Sequence, residues 1–257
     1  ADTRIVSIAP YAFEISQYPT LDLKGFSNLK YIERFAFANN SSIVEVMLPA
    51  SLSDIKDSAF KGSSIKKINL SECSNISSIG QYAFADCKNL DTITFATFTS
   101  TDDMAVKLEI KDYAFSGCTA LVTLNLPENL GTLGSYAFKG CKALTTVNFV
   151  ANAKFITPET TGGEEPTTAA YDPAGLVTTI GDGAFMDCTS LTTITLPYFI
   201  ARIGNSAFEN CTALATFTTM DGADSKTAAL RTIGDRAFFG NTSLNNVDVN
   251  TTKGVNT

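Results

Sequence analysis

Residues 121–141 read L-V-T-L-N-L-P-E-N-L-G-T-L-G-S-Y-A-F-K-G-C, and the fold follows from this stretch. Leu121, Leu124 and Leu126 form an L-x-x-L-x-L run that is too short for a helix and ends in apolar-polar alternation. Alternation puts every second side chain on one face, which suits a half-buried strand. Beyond Pro127 come Leu130, Leu133, the pair Ala137-Phe138 and Cys141. The piece from Leu133 to Cys141 has no room for a three-turn helix. It reads as a tight turn plus a short 3₁₀ segment, with Phe138 turned inward and Ala137 small enough for the backbone to pass close.

The same stretch recurs along the chain. Ala-Phe pairs end at Phe13, Phe37, Phe60, Phe84, Phe115, Phe138, Phe185, Phe208 and Phe238, and five of the eight spacings are 23 or 24 residues. A fixed period of that length signals a solenoid, whose units bury their apolar faces only against their neighbours. Five residues before each Phe is an aliphatic residue in all nine copies, from Ile8 to Ile233. Eight before it the column is aliphatic except at Lys107. The triplet after the Phe recurs as Leu191, Ile194 and Leu196, and one residue early as Ile65, Ile68 and Leu70 and as Tyr18, Leu21 and Leu23. Gly80, Gly134, Gly181, Gly204 and Gly234 follow the aliphatic anchor, where a turn with positive φ favours glycine. Nine stacked turns at ~4.8 Å per strand make a rod about 43 Å long.

These phased columns resemble the BspA-like (Treponema-type) bacterial leucine-rich repeat, L-x-x-I-x-L-P-x-x-L-x-x-I-G-x-x-A-F-x-x-C. Leu121–Phe138 and Leu191–Phe208 match it best. The resemblance implies a right-handed horseshoe solenoid. A parallel sheet would line its concave face, with turns and short 3₁₀ segments on the convex face and little α-helix. Residues 1–257 are expected to form one leucine-rich-repeat domain of about nine repeats. The resemblance also implies a cell-surface or secreted bacterial protein with adhesin-like binding to host or neighbouring-cell surface and matrix proteins. A start at Ala1-Asp2-Thr3 without Met fits a chain whose leader has been removed. No polar cap is evident after Val249, so a longer parent protein or an irregular terminal cap is expected.

Three copies are longer than the rest. Insertions at 96–109, 150–176 and 220–230 all fall directly after the strand, so they leave the rod along one edge. Asp102 and Asp103, then Glu164, Glu165 and Asp172, then Asp221 and Asp224 give them an acidic character. Such loops on a rigid scaffold form a candidate binding rim, or else record drift in loop length at an edge that tolerates it. Their carboxylates could hold calcium, yet no D-x-D-x-D-G loop is present, so no metal site is assigned.

On the strands, the residues between core positions face outward. They form two files: Thr92 and Thr94, Thr123 and Asn125, Thr146 and Asn148, Thr193 and Thr195, Thr216 and Thr218, then Asn246 and Asp248. Threonine suits an exposed strand, and Thr–Thr neighbours stabilise one another. The alternative reading is a polar, nearly uncharged docking surface for a protein or a glycan. The absence of Trp from the chain, and of aromatics from these files, weighs against glycan.

Composition narrows the chemistry. The net charge of −7 opposes nucleic acid, which requires a basic stripe, and no apolar run approaches the ~20 residues of a bilayer span. There is no histidine, which removes Ser-His-Asp and Cys-His catalysis and imidazole metal sites. Carboxylate-only catalysis requires a cleft with two facing carboxylates. A regular solenoid offers an open surface instead, so no catalytic residue and no cofactor is expected. Cys87, Cys118, Cys141, Cys188 and Cys211 all stand three residues after the Phe, a slot that Asn40 and Asn241 share. That pattern reads as a buried reduced column, with disulfides between adjacent turns the alternative. Cys73 is out of phase. A structural spacer within a larger surface protein, or a glycan-binding module, are the alternatives to an interaction role.

Overall fold

The computed structural model describes residues 3–98, 106–149, 179–197, 200–219 and 230–248. Within them the chain winds into coils that each carry two short strands. In chain order these are β1 (Ser7–Ile8), β2 (Thr20–Asp22), β3 (Tyr31–Ile32), β4 (Glu45–Met47), β5 (Asp54–Ile55), β6 (Lys67–Asn69), β7 (Ser78–Ile79), β8 (Thr92–Thr94) and β9 (Leu108–Ile110). Then follow β10 (Thr123–Leu126), β11 (Leu130–Leu133), β12 (Thr146–Phe149), β13 (Thr179–Ile180), β14 (Thr193–Leu196), β15 (Arg202–Ile203), β16 (Thr216–Thr219), β17 (Thr232–Ile233) and β18 (Asn246–Asp248).

The odd-numbered strands stack into one parallel nine-stranded sheet, and it contains all nine aliphatic anchors. The even-numbered strands, which carry the L-x-x-L-x-L run, form a four-stranded sheet of β2, β4, β6 and β8 and a five-stranded sheet of β10, β12, β14, β16 and β18. Each coil therefore contributes to a second sheet besides the expected one. The even-numbered layer divides between β8 and β10, where the 96–109 insertion departs, but the longest insertion leaves both layers paired. On either side of residues 150–176, Leu133 pairs with Ile180 and Val147 with Ile194.

Between the sheets one apolar cluster runs from Ile8 to Ala237. Its spine is a file of nine phenylalanine rings, stacked from Phe13 to Phe238 with centroids 4.7–5.7 Å apart. Offset-stacked aromatics at this distance add to the gain from area burial. Phe37, Phe60, Phe84, Phe115, Phe138, Phe185 and Phe208 are fully buried, while Phe13 and Phe238 in the first and last coils are only partly covered. Tyr18, read as a core position of the first copy, is 65% exposed instead. The terminal coil has no second neighbour to cover it.

The expected 3₁₀ segment is a run of turns. In the fourth coil Ala83, Ala85 and Cys87 donate their amides three residues back, to Gly80, Tyr82 and Phe84. The intervening amides of Tyr82, Phe84 and Asp86 donate to Asp112, Ala114 and Ser116 of the next coil. Local and inter-coil bonds thus alternate residue by residue. What prevents a helix is the left-handed backbone two residues before every repeat Phe, as at Tyr82 (φ 57°) and Tyr113 (φ 58°). It recurs two residues after the Phe in eight coils, where Asn, Asp or Gly fills it: Asn39, Gly62, Asp86, Gly117, Gly140, Asp187, Asn210 and Gly240. These are the residue types that tolerate this region best.

The glycines after the aliphatic anchor serve a different purpose from the one expected. Gly134 is not left-handed; a Cβ there would lie 2.6 Å from the Asp112 amide nitrogen and 2.7 Å from Asp112 Oδ1. The missing side chain leaves room for the preceding coil's aspartate, whose Oδ1 accepts the Ser135 amide at 2.8 Å. Asp57 with Gly80, and Asp182 with Gly204, repeat the couplet.

Lys107 does not leave a hole in the aliphatic column. Leu108 takes the core place at 1% exposure and pairs with Leu130. A register shift between Leu130 and Thr132 absorbs the slipped residue.

All six cysteines are free and buried. Cys87, Cys118, Cys141, Cys188 and Cys211 donate their thiols to the carbonyls of Phe60, Phe84, Phe115, Phe138 and Phe185 in the preceding coil, at 3.0–3.4 Å. Asn40 donates to the Phe13 carbonyl from the same slot, whereas Asn241, in the last coil, makes no side-chain hydrogen bond there. Cys73 has its own partner, the Pro49 carbonyl at 3.4 Å.

Candidate functional site

The even-numbered strands alternate inward and outward side chains, so their outer face is set residue by residue. In β10 the pattern runs exposed, buried, exposed, buried: Thr123 and Asn125 point out, Leu124 and Leu126 in. Parallel pairing then aligns like positions. Thr123 lies beside Thr146, Thr146 beside Thr193, and Thr193 beside Thr216. The second file pairs Asn125 with Asn148 and Thr195 with Thr218.

Side chains in the second file bond to each other. Asn148 Nδ2 donates to Asn125 Oδ1 at 2.7 Å, and the Thr195 and Thr218 hydroxyls are 2.9 Å apart. Thr146, Thr216 and Thr218 are half-buried, the other five exposed. The result is a two-file surface of eight uncharged hydrogen-bonding groups, already ordered before any ligand arrives. It ends at Asn246 and Asp248 on β18.

Thr92 and Thr94 lie beside β10, but no strand pairing joins them to that surface. They lie on β8, in register with Lys67 and Asn69 of the four-stranded sheet. There the outer files read Thr20, Glu45, Lys67 and Thr92, then Asp22, Met47, Asn69 and Thr94, so charge enters both. The uncharged ladder thus spans the four coils of β10, β12, β14 and β16 and belongs to the C-terminal part of the stack. Between β12 and β14 the pairing narrows from four residue pairs to two, where the chain departs into residues 150–176.

The rim residues Asp102, Asp103, Glu164, Glu165, Asp172, Asp221 and Asp224 lie outside the described residues. The insertions containing them start after β8, β12 and β16, all in the same sheet layer.

A second surface feature escaped the sequence reading. Tyr82, Tyr113 and Tyr136 stack in a half-exposed file, with centroids 4.9 Å apart at both steps. Lys61 lies over the Tyr82 ring at 5.0 Å and Lys139 over the Tyr136 ring at 5.6 Å. The signal was present, since each tyrosine stands two residues before a repeat Phe. Nothing in the sequence said that this slot points outward.

Burial pushes the Cys87, Cys141 and Cys211 thiols up to about 12 and Cys73 up to about 11, and holds Cys118 and Cys188 well above the ordinary value. Thiols so raised stay protonated near neutral pH and are poor nucleophiles. Among the described residues no group of three or more carboxylates and thiols is placed to hold a metal ion.

Stacked parallel coils with leucine-rich strands on one side and an Ala-Phe corner define a leucine-rich-repeat solenoid. The chain belongs to the family of BspA type leucine rich repeat regions, which matches residues 6–108, 105–161 and 173–256 as six copies. A comparison with curated protein sequences finds no match. Among solved structures, the T. pallidum leucine rich repeat protein is 22% identical. The match covers 81% of this chain and 80% of that one, with a TM-score of 0.57. A leucine rich cell surface protein from Faecalibacterium prausnitzii is 20% identical over 92% of this chain, with a TM-score of 0.44, and the match spans 63% of that protein's length. The pneumococcal vaccine antigen PcpA is 20% identical over 94% of this chain and 71% of its own, with a TM-score of 0.42. No helix among the described residues is long and apolar enough to cross a membrane.

Proposed function

We propose that this chain is a non-enzymatic, adhesin-like interaction module of a bacterial cell-surface or secreted protein, exported with a leader that is then removed. Its partners would be surface or matrix proteins of a host or neighbouring cell. The observation that carries the reading is the pre-ordered ladder from Thr123 to Thr218. Its side chains are already held by strand register and by each other, so a partner meets groups whose ordering cost is largely met in folding. The acidic insertions at 96–109, 150–176 and 220–230 would frame the same surface. Family membership supports a surface location, and leucine-rich repeats serve generally as binding scaffolds. The absence of histidine and the net charge of −7 fit a role without imidazole chemistry or nucleic acid.

A pull-down against extracellular-matrix and surface proteins tests this reading, using the native chain, the pair Thr195→Arg with Thr216→Arg, and a deletion of residues 153–174. Binding lost in the arginine pair with unchanged thermal stability supports the ladder. Binding lost only in the deletion moves the contact to the rim. No captured protein with any form leaves a spacer role as the better account.

A further inference from the structure

The nine-stranded sheet carries a feature that the ladder does not explain. On the fourth coil Ser77, Ser78 and Gly80 present almost no side chain, while the coils on either side present long charged ones. Asp54, Lys56 and Asp57 form one wall and Lys107, Glu109 and Lys111 the other, around a depression of about 310 Å³. That volume is at the lower end of what small-molecule sites enclose.

The two walls differ in how far their charges are committed. Lys56 pairs with Asp54 at 3.2 Å and lies over the Tyr31 ring. Asp54 also accepts the Ser53 hydroxyl at 2.8 Å, and Asp57 accepts the Gln81 amide at 2.9 Å. Across the gap, the side chains of Lys107, Glu109 and Lys111 have no hydrogen-bond or ion-pair partner among the described residues. Lys107 is at this edge because Leu108 occupies the core place that the repeat period assigns to residue 107.

We propose that this depression binds a sugar unit that carries a carboxylate, the repeating element of an acidic glycan. Two uncommitted ammonium groups would take the carboxylate in charge-assisted hydrogen bonds. Glu109, the second oxygen of Asp57 and the Ser78 hydroxyl would meet neutral sugar hydroxyls, which both donate and accept. The mixed lining selects this chemistry. The three carboxylates around the gap repel a phosphate, with its second charge, more than a singly charged carboxylate. A peptide anchor would look for an apolar pocket, and the nine lining residues are all charged, Ser or Gly. The site lies on a different sheet from the Thr/Asn ladder and stands or falls apart from it.

The test is an amide NMR titration of the full chain with methyl β-D-glucuronide and methyl β-D-glucoside. The glucuronide is expected to shift Ser78, Gly80 and Lys111, at least about tenfold more tightly than the glucoside. Lys107→Gln with Lys111→Gln should weaken it by roughly tenfold or more while the melting temperature stays the same. Equal binding of the glucoside overturns the proposal. So does equal competition by acetate, phosphate or a glutamate-rich peptide, an unaffected double variant, or no shift with the native chain.

Discussion

At the scale of single residues, the repeat depends on side chains that are absent as much as on those present. Gly134 lets Asp112 of the preceding coil bond the Ser135 amide, because the space a Cβ would occupy is taken by Asp112. Gly134→Ala should therefore cost about 1–3 kcal/mol through overpacking. Gly25→Ala, where nothing lies within 4 Å, should fall within about 0.5 kcal/mol of the parent. Denaturant midpoints for the two variants decide the matter, and equal midpoints would remove the close-approach explanation. The sequence showed which position takes glycine but not why. A glycine at a sharp turn and a glycine at a close backbone crossing look alike in one dimension. The positive-φ sites turned out to be two residues before and after the Phe, and the first of these accepts tyrosine.

At the scale of the element, the cysteine column ties each coil to the one before it. Its five thiols donate to phenylalanine carbonyls, and burial holds their titration above the ordinary value of 9.0. A group whose folded pKa is raised contributes stability that is fully present below its unfolded value. That contribution is lost as pH climbs toward the folded value. Stability should thus decline from about pH 9 upward, toward about 12 for Cys87, Cys141 and Cys211. A variant with Cys118, Cys141 and Cys188 all changed to Ser should lose less over that range, because serine does not titrate there and still has a hydroxyl to donate. Denaturation midpoints measured between pH 8 and 11, from about one unit below the ordinary thiol value to about two above it, check the slope. A variant that declines as steeply as the parent would show that other groups, such as tyrosine, dominate.

At the scale of the whole molecule, stability is distributed along a one-dimensional stack. Phe138 lies between two fully buried rings, and Phe238 has a ring on only one side of its stack. Phe138→Ala should cost about 3–5 kcal/mol and Phe238→Ala distinctly less. Chemical denaturation of both compares them, and an equal loss would contradict the file. The insertion at 150–176 leaves the register of Thr146 with Thr193 and of Leu133 with Ile180 intact. Loop length weighs only logarithmically on closure entropy. Removing residues 153–174 should therefore leave the thermal midpoint within a few degrees of the parent, as circular dichroism would show. A large drop would mean that the loop contributes packing of its own.

The period alone determined the coil, the inward phenylalanine and the buried thiol. Each is a property of one unit repeated, and a repeat shows such properties in every copy. The strand alternation likewise revealed which threonines face outward. What the tertiary structure decided is everything that depends on how two coils meet. It revealed the second sheet and the aspartate-glycine couplets, and it placed Leu108 where the period put Lys107. It also left Thr92 and Thr94 beside, but not paired with, the other eight ladder residues and set Lys107 and Lys111 across from Asp54 and Asp57. Contacts between coils join residues some 23 or more positions apart, and no local pattern records their register or the room between them.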